Sequence, residues 1–417
     1  MTHDANLRHA FSACGIELEY MIVDAQTLSV RPIADELLRY AAGSQVAEFE
    51  RGHFAWSNEL VLHLVEIKNI QPDAQLDTLV AGFQGEIASI DSQLARFGAR
   101  LMPTGMHPWM NPLHETRIWP HQNAEIYRSF DRIFDCRQHG WANLQSMHVN
   151  LPFAGDSEFS RLHAAARVLL PLLPALAASS PVADGRSRDV LDFRMESYRH
   201  HPMRIPALIG RVIPDTVTSR SEYETSVLAP AYRDIAPFDP EKELQYEWIN
   251  ARGAIARFDR SALEIRVIDL QECPQADLAI AALTMAVVRA LYRNRWSALE
   301  AQQAIGTETL AEILLACIRD ADRAVIDDPR FLALFGFSKD RCEAGELWQH
   351  LLAQCALDPQ LSSASRQVIV TILQHGPLAR RILTALGNGF DQARLKAVYR
   401  QLCDCLATGR LFLAGQV

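Results

Sequence analysis

The sequence predicts an α+β protein, with mixed strands and helices over residues 1–296 and an all-helical extension over 297–417. Three observations predict it. Apolar and polar residues alternate with period two at 12–24, 145–153 and 261–270. Segments with helical spacing lie between these runs. Beyond about residue 297 only helical spacing remains.

The elements follow in order. Residues 12–24 (SACGIELEYMIVD) read as a strand and 58–68 (NELVLHLVEIK) as a second. Leu76, Leu79, Val80, Phe83, Ile87, Ile90, Leu94 and Phe97 mark a helix over 73–97, opened by Pro72-Asp73 and closed by Gly98. A short strand at 99–106, a loop (MHPWMNP) and a helix at 122–138 come next. Residues 145–153 (QSMHVNLPF) form a strand, and 158–178 a helix kinked near Pro171 and Pro174. Residues 181–245 are loop-rich. Strands at 252–258 and 261–270 precede a strongly apolar helix at 276–296. In the extension, Thr307 is placed to cap a helix carrying Leu310, Ile313, Leu314, Cys317 and Ile318. Gly376-Pro377 stops the helix begun at Ser363, and Gly387 ends the next.

Composition narrows the function classes. Hydrophobic residues are 49% and charged residues 22%, so the chain can build a core and is not disordered. The formal net charge is −9, which excludes a basic nucleic-acid footprint. The only lysines are Lys68, Lys242, Lys339 and Lys396, none of which follows a glycine; this excludes the phosphate-binding GxxxxGK loop. Eight cysteines without a CxxC are expected to be reduced. The first ten residues hold no apolar leader. Val168–Ala178 is the longest apolar run, broken by two prolines and too short for a bilayer. A cytoplasmic protein with no membrane partner is expected.

The chemistry sits on the polar faces of three strands. In CGIELEY, Glu17 and Glu19 share one face, with Ile16, Leu18 and Tyr20 on the other. Ser146, His148 and Asn150 share a face in SMHVNLP, and Glu264 and Arg266 share one in LEIRV. An antiparallel sheet with one wet side is the plain reading. Yet wet faces usually carry Thr, Lys, Gln or Ser, whereas these carry ligands for hard cations and anions. Two carboxylates about 7 Å apart on a strand repel by roughly 2 kcal/mol at an effective dielectric of about 20. In a cleft that calls for a counter-charge, which a divalent ion supplies.

Glu59 and Glu66 are seven apart, so a regular strand puts them on opposite faces unless a bulge intervenes. His63 shares the face of Glu59 and reads as a core or edge histidine. Arg186, Arg188, Arg194, Arg199 and Arg204 make an arginine-dense run, which reads as a solvated surface or as anion clamps. There is no HExxH or GxSxG, and Gly387-Asn388-Gly389 follows no strand. His107 and His114 lack metal-ligand spacing.

The ordered set GIELEYMIVD, ELVLHLVEIKN, GMHPW, SMHVNLPF, RMESYR and ALEIRVID resembles the glutamate–cysteine ligase superfamily, closest to its carboxylate–amine ligase branch. The resemblance covers about residues 12–296. It implies a glutamine synthetase-like fold: a curved, largely antiparallel sheet with flanking helices. It also implies ATP with two or three magnesium ions, manganese being a substitute, and an acyl phosphate attacked by an amine. By this resemblance Glu17, Glu19, Glu59, Glu66, His148 and Glu264 are metal ligands, and the spacing of seven supports the bulge. Asn150, Arg194 and Arg199 face substrate, with Arg257 a weaker candidate. Arg266, with Glu264, holds the nucleotide phosphates, and Arg266, Arg194 and Arg199 are the catalytic candidates. The implied reaction joins the γ-carboxylate of glutamate to cysteine. Alternatives are another acid and amine, or a non-catalytic nucleotide-binding module. The expected partners are small amino-acid substrates, with no nucleic acid. The tail is longer than this branch leads one to expect; a packing or dimer-forming cap is its plain role, compatible with a homo-oligomer.

Overall fold

The alternating segments assemble into one eight-stranded antiparallel sheet in the computed structural model, which describes residues 8–415. The reading of residues 1–7 as part of a leader-free N-terminus lies outside these. The strands are β1 (Gly15–Asp24), β2 (Glu48–Arg51), β3 (Phe54–Asn58), β4 (Leu64–Asn69), β5 (Ala99–Met102) and β6 (Ser146–Pro152). A separate two-residue hairpin, β7 (Val182–Ala183) and β8 (Arg186–Ser187), precedes β9 (Ala254–Arg257) and β10 (Ala262–Asp269). The order across the sheet is β2-β3-β4-β1-β6-β10-β9, with β5 beside the far half of β1.

The pleat sorts the side chains. Ile16, Leu18 and Tyr20 of β1, Ile67 of β4, Met147 and Val149 of β6, and Leu263 and Ile265 of β10 enter one apolar core. The helices Leu76–Leu94, Gly155–Leu169 and Pro274–Tyr292 bury their own apolar residues in that core. Pro274–Tyr292 is long and apolar enough to cross a membrane by composition, and 89% of its apolar window is buried inside the protein. The opposite sheet face carries the polar residues.

Residues 58–68 are not one strand. β3 ends at Asn58, the chain turns through 59–63, and β4 returns antiparallel with Ser57 opposite Glu66. The apolar alternation there has another cause. Val61 forms a bridge with Ile118, and the Ile22 N–H donates to the His63 carbonyl at 2.8 Å. Glu59 and Glu66 therefore reach one face through a hairpin turn, and not through a bulge. Edge strand β2 and its partner β3 were not among the expected strands.

In the extension, helices Thr307–Asp320, Ala344–Gln354, Ser363–His375, Leu378–Leu386 and Gln392–Thr408 match the helical spacing, but the extension is not all-helical: Val325–Ile326 pairs antiparallel with Cys342–Glu343 across the helix Pro329–Ala333. Gly306, and not Thr307, occupies the cap position; the Thr307 hydroxyl accepts from Arg167 Nη2 at 2.9 Å. Leu314, Trp348 and Ile369 join the main core, while Leu378, Tyr399 and Leu402 pack with Met21, Val23 and Met102 of β1 and β5. Arg381 and Glu272 form an ion pair of 2.5 Å at 2% and 0% side-chain exposure, and Glu272 also accepts from the Phe412 N–H. All eight cysteines are free thiols, and Cys403 is buried while Cys405 is half-exposed, as expected for neighbours on different helix faces.

Candidate active site

The register across the sheet brings the charged residues into rows. Glu17 stands opposite Lys68 on one side and opposite His148 on the other. Glu19 stands directly opposite Glu66, a like-charge pair that destabilises a sheet without a cation nearby. Glu264 stands opposite Asn150. Hydrogen bonds fix these groups. His148 Nδ1 lies 2.8 Å from Glu17 Oε2, and Asn150 Nδ2 donates to Glu17 Oε1 at 3.1 Å. The Ser146 N–H and hydroxyl both donate to Glu19 Oε2 at 2.8 Å. The Ser57 hydroxyl donates to Glu66 Oε1 at 2.8 Å, and Lys68 Nζ bridges Glu66 (3.2 Å) and Glu48 (2.7 Å).

Two sets of groups can each hold a cation. One is Glu17, Glu66 and His148; the other is Glu19, Glu59 and Glu66. In each set, one ligand atom per residue lies within 4.8 Å of the others, and Glu66 belongs to both. Carboxylate oxygens with one imidazole suit a hard divalent ion such as magnesium or manganese. Glu264 borders the first set, with Oε1 4.0 Å from His148 Nδ1. Arg266 grips that same oxygen at 3.0 Å (Nε) and 2.5 Å (Nη2).

The electrostatics are those of crowded carboxylates. Burial raises the Glu59 carboxyl well above its usual range, and Glu19 and Glu66 push it further. Burial, with Glu17 beside it, lifts Glu66 to about 7 against the pull of Lys68 and His148. For Glu17 burial also pushes upward, yet the hydrogen bond and charge of His148 bring it down to about 2. Burial opposes the His148 cation, but the bond to Glu17 and the charges of Glu19, Glu17 and Glu264 raise it to about 10.

The site is a cleft along the polar sheet face. Its inner end, a cavity of about 470 Å³, is lined by Glu17, Glu19, Glu59, Glu66, His148 and Glu264 together with Arg194, Arg257 and Arg266. Its outer end, about 610 Å³, shares Glu17, Lys68 and Arg260 with the inner end and adds Asn150 and the backbone edges Gly15–Ile16 and Ser261–Ala262. Ten of the eleven residues singled out in the sequence line this cleft.

Arg199 does not. It pairs with Glu196 at 2.7 Å and lines a separate depression with Met203 and Leu314. Arg194 and Arg199 are five apart around the helix Phe193–Tyr198, hence about 140° apart on its circumference. The arginine-dense run is thus mixed. Arg194 is 1% exposed and pairs with Asp269 at 2.5 Å, whereas Arg186 is exposed. His63 is a core histidine: it is fully buried, Nε2 lies 2.7 Å from the Ala142 carbonyl oxygen, and burial lowers it to about 4.

Asp269 escaped the sequence reading because β10 is irregular. Its pairing with β6 shifts between Ile265 and Ile268, setting Arg266 and Val267 against His148. In a regular strand Ile268 would follow Glu264 and Arg266 on the polar face. The shift buries Ile268 opposite Met147 and turns Asp269 toward that face, opposite Ser146. Asp269 also accepts from the Ser179 N–H (2.8 Å) and the Ser180 hydroxyl (2.7 Å). Gly105 closes over it: a Cβ there would stand 2.5 Å from its Cγ.

Comparison with known proteins places this geometry. The profile of glutamate–cysteine ligase family 2 matches residues 13–401. A protein of Archaeoglobus fulgidus, described only as uncharacterized, is 32% identical over 366 residues, 86% of this chain and 96% of that one. A Bradyrhizobium sp. (strain ORS 278) protein with the provisional name glutamate–cysteine ligase 2 is 26% identical over 289 residues; these are 67% of this chain and 62% of that protein's length. The fold is shared with glutamate–cysteine ligase from Francisella tularensis, solved in complex with AMP (TM-score 0.59, 11% identity, 95% of this chain and 89% of that one). It is also shared with a bifunctional glutathione synthetase from Pasteurella multocida (TM-score 0.61, 12% identity, 96% of this chain and 53% of that one). The chain belongs to glutamate–cysteine ligase family 2 and is a carbon–nitrogen ligase of the carboxylate–amine type.

Proposed function

We propose that this chain joins a carboxylic acid to an amine while ATP is converted to ADP and phosphate, with magnesium held by the six acidic and imidazole groups of the cleft. The observation that carries this reading is the convergence of β1, β4, β6 and the 59–63 turn on two ligand sets that share Glu66. Glu17, Glu66 and His148 would hold one ion, and Glu19, Glu59 and Glu66 another, with Glu264 at the border. Magnesium, when bound, neutralises charge on the phosphate oxygens.

The chain's own groups position the reactants. Glu264 fixes two nitrogens of Arg266, whose guanidinium lines the cavity and is placed to hold phosphate oxygens. Asp269 holds Arg194 at the cavity wall through its Nε. An oxygen of the acid attacks the γ-phosphorus, the bond to the β–γ bridging oxygen breaks, and ADP leaves. The amine nitrogen then attacks the acyl carbon, loses its proton, and phosphate departs. No protein nucleophile is required.

Glutamate, through its γ-carboxylate, and cysteine are the first pair to test. ADP release and product mass should both depend on the two together; ADP release without any amide from any acid and amine overturns the ligase reading. The same chemistry on a different amine is the second reading, favoured by the aromatic wall described below.

Two further results are expected. Magnesium binding should expel protons, because Glu66 is lifted to about 7 and His148 to about 10 in the metal-free protein, and a cation is ligated by the deprotonated forms. Affinity then rises from pH 6 to 8, and calorimetry in buffers of different ionisation enthalpy reads the release; buffer-independent heats contradict it. Arg199→Ala should leave kcat and KM within about twofold, as for a surface substitution away from the cleft, which steady-state assays of ADP release measure.

A further inference from the structure

The inner end of the cleft is walled by rings that the reaction above does not use. Phe130 comes from the helix Ala124–Phe134, Trp141 from His139–Ala142, and Trp248 from the turn Glu247–Ile249. The Phe130 ring centre lies 5.3 Å from that of Trp141 and 5.9 Å from that of Trp248. A small apolar cluster containing Ile133, Leu244 and Ile249 backs all three, and each ring stays half-buried. Three segments thus hold a broad apolar surface toward the carboxylate cluster, far wider than the side chain of cysteine needs. Such surface gains most when a flat or bulky group covers it.

We propose that the inner end seats an amine bearing an aromatic or similarly broad apolar arm, with the arm on Phe130, Trp141 and Trp248. This rests on the ligase reading and names its amine. The acidic lining of this end favours a cationic amine over the neutral base of the nucleotide. Arg194 and Arg257 at this end already hold Asp269 and Asp259, which leaves Arg266 and the two ligand sets to meet the phosphates. Carboxylate and ring faces both attract an ammonium group. The outer end offers the backbone edges of β1 and β10 for the base and ribose, with Arg260, whose side chain is 63% exposed, at the border of both ends.

The test is titration calorimetry on the whole protein with magnesium present, using phenethylamine, ethylamine, cysteine and ADP, followed by ADP-release assays with glutamate and each amine. Phenethylamine should bind at least tenfold tighter than ethylamine or cysteine. Trp248→Ala and Trp141→Ala should each weaken it about tenfold or more, Trp248→Phe should restore most of it, and ADP affinity should stay unchanged. Equal binding of ethylamine and phenethylamine overturns the proposal, as does a loss of ADP affinity in the tryptophan variants, which would make the rings a base pocket. Turnover with cysteine matching that with phenethylamine overturns it too. Tight, ring-dependent phenethylamine binding with no ADP release from any mixture upholds the seat and sinks the ligase reading alone.

Discussion

Glu66→Gln is expected to abolish turnover and, in the same molecule, to stabilise the metal-free protein. Glu66 is the residue common to both ligand sets, so its loss weakens both. Removal of a shared charged ligand beside the transferred phosphoryl group should lower turnover by about 10²–10³-fold or more. Without metal the same carboxylate is a burden. It faces Glu19 across the strands and stands at about 7 instead of 4.5, which corresponds to roughly 3 kcal/mol. The direction with pH follows from proton counting. Below 4.5 the carboxyl is protonated in both the folded and unfolded chain and no penalty exists. Between 4.5 and about 7 the unfolded chain loses its proton first, so stability falls as pH rises, and above 7 the penalty is constant. Glutamine keeps an acceptor for the Ser57 hydroxyl and carries no charge. The variant should therefore melt above the wild type at pH 8 and with it at pH 4. Added magnesium should raise the wild-type melting temperature and barely move the variant. Full turnover at saturating magnesium would remove Glu66 from the site.

Asp269→Asn is expected to cost about 3–5 kcal/mol of folding stability and most of the activity. The Arg194 guanidinium is 1% exposed and its Nε is held by this carboxylate. The asparagine amide would present hydrogens to the Ser179 N–H and Ser180 hydroxyl, which are themselves donors here. A second carboxylate softens the loss. Asp192 is fully buried, its charge acts on Arg194, and burial and the charge of Asp269 hold its carboxyl well above the usual range. With Asp269 neutral, Asp192 ionises more readily and becomes the remaining counter-charge. The double variant Asp192→Asn, Asp269→Asn should accordingly lose more than the sum of the single variants. Urea denaturation of the four proteins measures this; additivity would mean that the two carboxylates do not share the arginine.

How much of this was legible in the sequence depended on period and distance along the chain. The polar faces of β1, β6 and β10 were readable because alternation has a period of two and the opposite faces are apolar without exception from Ile16 to Tyr20 and from Met147 to Leu151. The Glu59–Glu66 relation was readable only as a conflict of parity. Alternation cannot say whether a bulge or a turn resolves it, and the bridge between Val61 and Ile118 that keeps 59–63 looking strand-like lies far away in sequence. Arg194 and Arg199 looked equivalent until a helix gave them different directions. The wall of Phe130, Trp141 and Trp248 was not visible, because aromatic residues in three distant segments read as core and only tertiary packing turns one side of each ring toward the cavity.

The Arg381–Glu272 pair ties the C-terminal extension to the segment that follows the sheet. Glu272 follows the last strand of the sheet by three positions, and Arg381 and Phe412 are its only ionic and backbone neighbours recorded among the described residues. A shortened polypeptide stopping near residue 296 would leave Glu272 without its guanidinium and bare the apolar residues Met21, Val23 and Met102 of β1 and β5. Such a fragment should aggregate instead of working as a miniature ligase. Coexpressing residues 297–417 as a separate piece should rescue its solubility, if the pieces dock through that acid and its guanidinium; the rescue should vanish with Arg381→Met.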